Sequence, residues 1–355
     1  MPHGHQFSFF ENICACSNDI DIHIYADRRF RYKTDRKNIY VHPYFVKQIK
    51  KWQVPFLVRK LLNENEKIFF PTAETTYLIS LKYFSGKNID RNRVFLFFHL
   101  INIEKGKYNF RNRKRRKINF FSSVAKAQPN IVMFTPTETP KKFLLDCGYR
   151  YAYQVNYPVN PDDFRPQKEK DFKHLLLSGD PRSDKGLREI GDYTEYCASN
   201  KLDIPLTIQR PERFDSYPED TRESIKKILE YEHLKSIPVG LDLDMYLQQF
   251  GGAISLQLYD RKLFADRASG VALDALMHGT PCITLSNTWN AKLIQRFDAG
   301  VVIDDPTPEN IHAAVTEIMN NYQEYSLKAA EGGKVVRKEH SMRNLLNLMM
   351  EDIGE

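Results

Sequence analysis

Short apolar runs alternate with amphipathic stretches along the chain, the rhythm of parallel strands joined by crossover helices. In the C-terminal half the runs at 174–178, 204–208, 253–258, 281–285 and 301–303 are strand candidates, and 184–199, 219–231, 242–250, 268–278 and 290–297 are helix candidates. Residues 307–353 read as helices, with breaks expected at Gly332-Gly333 and His340-Ser341. The N-terminal half is less regular, with strands expected at 20–26, 67–70, 94–98, 130–134 and 151–155 and helices at 5–17, 43–51, 73–83 and 137–147. No apolar strand precedes the first helix, so a trimmed N-terminus is expected. Between Asn156 and Pro166, the prolines at 158, 161 and 166 make a stiff connection and mark a domain boundary.

At 355 residues the chain is long enough for two domains, and 42% hydrophobic with 27% charged residues is a globular composition. No apolar run reaches the ~18 residues of a membrane span. Met1-Pro2-His3-Gly4-His5 is not the start of a signal peptide. The five cysteines (Cys14, Cys16, Cys147, Cys197 and Cys282) are sparse and lack metal-ligand spacing, so a reduced, cytoplasmic setting is expected.

Charge changes the picture more. The net +7 is the sum of +16 over residues 1–150, where 28 Lys and Arg face 12 Asp and Glu, and −9 over the rest. The basic half should meet something anionic: a membrane surface on which the protein sits peripherally, a phosphorylated lipid, or nucleic acid. Its densest run is Arg111-Asn112-Arg113-Lys114-Arg115-Arg116-Lys117, beside Ile118, Phe120 and Phe121. Six charges in seven residues repel and stay solvated. The run suits anionic headgroups, nucleic-acid phosphates, or simply a solvated loop. Lys33, Arg36, Lys37, Lys47, Lys50 and Lys51 extend the basic character.

Three places carry candidate chemistry. Asp266 and Asp274 are eight apart in Asp266-Arg267-Ala268-Ser269-Gly270-Val271-Ala272-Leu273-Asp274, followed by Ala275-Leu276-Met277-His278-Gly279-Thr280-Pro281-Cys282-Ile283. The pattern predicts a loop entering a short helix, stopped by Gly279 and followed by a buried strand. One carboxylate lies at the helix mouth and the other about two turns along. Small residues between them admit a ligand to the backbone, and the amides of a helix start attract phosphate. In Leu175-Leu176-Leu177-Ser178-Gly179-Asp180-Pro181-Arg182-Ser183-Asp184-Lys185-Gly186-Leu187, a buried strand leads into a loop bearing Arg182 and Lys185, placed to neutralise a diphosphate at the carboxyl edge of a sheet. Phe95-Leu96-Phe97-Phe98-His99 puts an imidazole at a strand's carboxyl end; a structural histidine is the alternative there.

These segments resemble, in the same order, those of retaining glycosyltransferases with the GT-B fold. Asp266 and Asp274 stand at the two glutamates of the Glu-x7-Glu element, and the Ala-Leu-x-x-Gly-x-Pro-x-Ile tail is intact. Lys185, six after Gly179, falls on the family's lysine, while Asp180 occupies its arginine position. Asn160-Pro161-Asp162-Asp163-Phe164-Arg165-Pro166 is similar to the interdomain crossing, and the run from Gly240 through Asp242, Asp244 and Leu247 to the segment that follows the nucleobase loop. Asn290 through Val302 matches a later element with Asn for Glu, His99 matches the histidine beside the donor sugar, and His3-Gly4-His5 matches the Gly-rich turn after the first strand.

The resemblance implies an α/β chain with two Rossmann-like domains facing a cleft: 1–156 for the acceptor, 157–335 for a nucleotide sugar, and a terminal helix over 336–355 packing back on the first. It implies retaining transfer of a sugar to a saccharide or lipid-linked acceptor, with no metal or other cofactor. Asp266, His99 and Lys185 would carry the catalysis. Arg182, Gly179, Ser269, Gly270, Asp274 and Gly240 would bind the donor. Arg111, Arg113, Lys114, Arg115, Arg116 and Lys117 would meet the acceptor or membrane. Two other readings stay open: a basic nucleic-acid- or membrane-binding protein, with nucleic acid the less favoured partner, and a degenerate glycosyltransferase-like scaffold.

Overall fold

The computed structural model describes all residues except 1–4, 18, 31, 33, 65, 86–88, 100, 102–109, 210–213, 215–216, 239–240, 242 and 352–355, and only the backbone of 5–8 and 110–114. Gly240, Asp242, Lys33 and the His3-Gly4 turn therefore lie outside the described residues. The chain forms two compact units: residues 1–160 with 340–355, and residues 161–339.

Unit 1 runs α1 (His5–Cys16), β1 (Ile22–Asp27), β2 (Ile39–Phe45), α2 (Lys50–Asn63), β3 (Ile68–Phe70), α3 (Thr75–Phe84), β4 (Val94–Phe97), α4 (Phe110–Ala127), β5 (Val132–Thr135), α5 (Glu138–Asp146) and β6 (Tyr151–Gln154). Strands β3-β4-β5-β6 form a parallel sheet in that order, and β1 and β2 form a separate parallel pair. Alternate residues of β4 and β5 serve opposite faces. Leu96 and Met133 meet Val58, Leu81, Val124 and Leu144 of α2 to α5. Phe95, Phe97, Val132 and Phe134 meet Phe9 and Ile13 of α1. Burial on both faces makes these strands uninterrupted apolar runs.

Two expectations fail in this unit. The helix expected at 43–51 is strand to Phe45 and helix only from Lys50. Tyr40, His42 and Tyr44 alternate with Ile39 and Val41, a period of two that the helical reading overlooked. Gln53 then ties helix to strand: it accepts from the Val46 amide at 2.7 Å and donates to the Tyr44 carbonyl at 3.0 Å. The basic run 111–117 is not a loop either but the opening of α4. The apolar stripe that seats the helix (Phe121, Val124, Ala125) begins only beyond the charges.

Unit 2 runs β7 (His174–Leu177), α6 (Leu187–Ser199), β8 (Leu206–Gln209), α7 (Glu219–Leu229), β9 (Leu234–Ile237), α8 (Leu243–Gln248), β10 (Ala253–Gln257), α9 (Arg261–Phe264), α10 (Gly270–Met277), β11 (Cys282–Leu285), α11 (Trp289–Phe297), β12 (Gly300–Ile303), α12 (Pro308–Asn320) and α13 (Tyr322–Glu339). Its six strands are all parallel in the order β12-β11-β10-β7-β8-β9. The chain starts at the centre, fills one side, then returns to fill the other, so strand order reverses between β7 and β10. Open α/β sheets bind ligands outside the carboxyl ends of the strands at such a switch. The edge strand β9, short and partly exposed, was not expected.

The break expected at Gly332-Gly333 is absent, since α13 runs straight through it. A Cβ on Gly333 would lie 2.2 Å from the Leu276 carbonyl oxygen of α10, and one on Gly332 2.8 Å from the Phe297 ring of α11. The glycines serve close helix packing rather than a turn. The break at His340-Ser341 is present: Ser341 caps α14 (Met342–Met350) by accepting from the Arg343 amide at 3.2 Å. Helix α14 belongs to unit 1, where Met342, Leu345, Leu346 and Met349 join Phe9, Phe95 and Phe97.

Candidate active site

The loops leaving β7 and β10 touch each other at the switch point of unit 2. After Leu177 the backbone turns left-handed at Gly179 (φ +75°), passes a turn of 3-10 helix over Ser183–Lys185, and turns left-handed again at Gly186 (φ +80°) into α6. A Cβ on Gly186 would lie 2.4 Å from the Leu258 carbonyl just beyond β10, so only glycine lets the loops approach. The Asp260 amide donates to the Asp184 carbonyl at 3.1 Å and closes the contact.

This approach gathers cations. Lys185 is 8% exposed, and its Nζ donates to the Ser178 carbonyl at 3.3 Å. Burial first, then the Arg182 guanidinium, pushes its pKa down to about 8. Arg182 donates to both carboxylate oxygens of Asp184 at 2.9 and 3.4 Å. Arg267, adjacent to Asp266, reaches Asp184 from the other loop at 3.8 Å and lies over the Phe264 ring at 4.7 Å. Burial, then Arg182, lowers the Arg267 pKa. Asp184 thus bridges two guanidiniums beside a buried ammonium. Asp180 accepts from the Tyr217 hydroxyl at 3.1 Å. Sequence reading singled out Lys185 and Arg182 but missed Arg267, whose only signal was its place next to Asp266.

Helix α10 starts against this cluster. The buried Ser269 hydroxyl caps it, accepting from the Ala272 amide at 3.4 Å. The amides of Gly270 and Val271 precede the point where intrahelical partners exist. Asp266 is half-buried in the loop before the helix and Asp274 lies within it, as their spacing predicts. Asp274 accepts from the Tyr246 hydroxyl of α8 at 2.7 Å. Burial pushes its pKa up to about 7, although the Tyr246 bond pulls the other way. It is therefore a carboxyl that holds its proton far above the ordinary aspartate range, with a tyrosine fixing one oxygen. Nothing local in the sequence pairs Tyr246 with Asp274. Asn290, by contrast, is wholly buried and donates to Gln257 at 2.8 Å, tying α11 to β10 inside the core.

In unit 1, His99 lies just beyond the carboxyl end of β4, with its Nε2 donating to the Pro71 carbonyl at 2.9 Å. That bond places the ring proton on Nε2. Phe97 and Phe9 hold the ring at 4.7 and 5.1 Å. In α4, Arg115 and Arg116 are exposed and Lys117 is half-buried, its pKa lowered by that burial; the side chains of Arg111, Arg113 and Lys114 are outside the described residues. Among the described residues, no three His, Cys, Asp or Glu side chains cluster to hold a metal, and no helix is long and apolar enough to cross a membrane. Asp244 pairs with Arg165 at 2.6 Å.

No protein-family model and no curated protein sequence matches the chain. Solved structures do. The chain superposes on Anabaena HepE, crystallised with UDP and glucose, at a TM-score of 0.67 and 11% identity over 99% of this chain and 97% of that one. It matches WaaG, a glycosyltransferase of lipopolysaccharide biosynthesis, at 0.62 and 14% over 100% and 98%. Sucrose-phosphate synthase from Thermosynechococcus elongatus follows at 0.66 and 12% over 98% and 92%. The fold is that of the GT-B glycosyltransferases. At these identities the likeness is one of fold, and the reversed strand order of unit 2 itself is what brings the cation cluster together.

Proposed function

We propose that the protein is a retaining glycosyltransferase that moves a sugar from a nucleotide-sugar donor to a hydroxyl of a saccharide or lipid-linked acceptor without a resident metal. The observation that carries this reading is the cluster of Lys185, Arg182 and Arg267 at the switch point, against the first turn of α10. A diphosphate there gains three cations and the helix-start amides, so charge developing on the leaving group as the anomeric C–O bond breaks meets preorganised positive charge. Arg267 supplies the charge that Asp180, at the family's arginine position, does not. The acceptor oxygen bonds to the anomeric carbon on the face the diphosphate leaves, and its proton passes to a departing phosphate oxygen. Asp266, at the helix mouth, is assigned to the sugar, Asp274 to the ribose hydroxyls, and His99 to orienting the sugar or acceptor. UDP is the first nucleotide to try because HepE was crystallised with it.

Calorimetric titration of UDP and UDP-glucose into wild type and Lys185→Ala tests the reading. Loss of a charge-assisted phosphate contact should weaken binding by about 1.5–3 kcal/mol. Equal affinity in the two proteins removes Lys185 from the site. Retention is read from the anomeric configuration of the product by NMR.

A further inference from the structure

Helix α2 is amphipathic with a second apolar face turned outward. Val54, Leu57, Val58 and Leu62 bury its inner side. The opposite stripe carries Ile49 at the N-cap, then Trp52 and Phe56, spaced to lie in one line, with Trp52 74% and Phe56 72% exposed. The stripe continues into the exposed cations Arg59 and Lys60. Helix α3 packs beside α2 and exposes Ile79 and Tyr83, four apart, with the Lys82 ammonium 4.6 Å from the Tyr83 ring. Helix α4, packed on α3, exposes Arg115 and Arg116. Single exposed apolar residues are ordinary, but a line of them along one helix marks an interaction surface.

We propose that this face of unit 1 docks on an anionic lipid bilayer. Trp52 and Phe56 enter the boundary between headgroups and acyl chains, while Arg59, Lys60, Arg115 and Arg116 meet lipid phosphates. Charge complementarity selects the occupant: residues 1–150 carry a net +16, and cations flank the apolar stripe. Aromatic rings on one line with Lys and Arg beside them are the composition of an interfacial helix, and stable anchoring takes both an apolar and a polybasic signal. The inference deepens the acceptor side of the proposed function and rests on it, because an enzyme serving a lipid-linked acceptor must work at the bilayer surface.

Trp289→Phe leaves Trp52 as the sole tryptophan. Its emission and co-sedimentation are followed with vesicles of phosphatidylcholine alone and of phosphatidylcholine mixed with phosphatidylglycerol. The expected result is a blue shift and quenching by brominated acyl chains with the anionic vesicles, weakened by added salt. Trp52→Ser with Phe56→Ser should lower partitioning at least about tenfold and leave UDP binding unchanged. Arg115→Glu with Arg116→Glu should also lower it, and the quenching on the unsubstituted surface stands if the double serine variant does not fold. Unchanged emission with anionic vesicles overturns the proposal, as does vesicle binding that survives the serine substitutions. A dimer that those substitutions dissolve would assign the face to a second copy and overturn it too. UDP titration is independent of vesicles, so failed docking with intact UDP binding sinks this surface alone, and the reverse sinks the donor site alone.

Discussion

The two units differ in which side chains sit against their polarity. At the switch point of unit 2 these are cations drawn out of water, the buried Lys185 and the half-buried Arg267. In unit 1 they are exposed apolar groups gathered on two neighbouring helices, Trp52, Phe56, Ile79 and Tyr83, whereas those that unit 2 exposes, such as Leu327 and Met245, lie on separate helices. A buried charge costs free energy until something of opposite sign joins it, and an exposed apolar stripe loses its hydration cost when something covers it. The misfits of unit 2 therefore point to a small polyanion and those of unit 1 to an apolar surface with negative charge. One α/β architecture serves both, and the side chains at the switch point or on an outer helix face separate the roles.

The largest expected effect lies within unit 1 and contrasts its packed aromatics with its presented ones. Phe97, fully buried between α1 and α14, should cost about 3–5 kcal/mol as Phe97→Ala. Trp52→Ser, on a larger ring, should change stability by less than about 0.5 kcal/mol. Urea unfolding of both variants tests this, and a large loss at Trp52 would mean its ring is packed rather than presented.

Asp274 sharpens the contrast from the other side. Its pKa is about 7 in the folded protein against 3.8 for an ordinary aspartate carboxyl, so the native state keeps its proton where the unfolded state has released it. The stability that Asp274 contributes therefore falls as pH rises from about 4 to 7, by up to about 4 kcal/mol. Asp274→Asn has no proton to lose. Its advantage over wild type should grow across that window and level off above it, while donor affinity falls. A difference independent of pH would place the carboxyl in water.

The smallest effect is a proton. Lys185 has its pKa lowered to about 8, and a bound diphosphate should raise it. UDP binding near pH 8 should then take up about half a proton, falling toward zero near pH 6.5. Calorimetry in two buffers of different ionisation heat measures this. Lys185→Ala should abolish the uptake, and uptake that persists would assign the proton to another group.

Much of unit 2 was legible because its signals are local. Each strand from β7 to β12 except the edge strand β9 reads as an apolar run, and Gly279 stops α10 where expected. What escaped depends on distance. Gly332-Gly333 looks like a break, and only the Leu276 carbonyl behind it shows that the pair exists for packing. Arg267 reads as one more surface cation until the loop from β7 brings Asp184 and Lys185 beside it. In unit 1 the period-two alternation of β2 was hidden because Pro43 and the turn at 46–49 resemble a helix start.

By itself the sequence determined the α/β alternation, the split of charge between the halves and the order of the segments that carry chemistry, because spacing and composition are properties of neighbours along the chain. Tertiary structure decided the rest. The strand order of unit 2 puts the loops after β7 and β10 side by side. Burial then turns Lys185 into an ammonium that sheds its proton near pH 8 and Asp274 into a carboxyl that keeps its own until about 7. Desolvation depends on what folds over a group from elsewhere in the chain, and that information is not local.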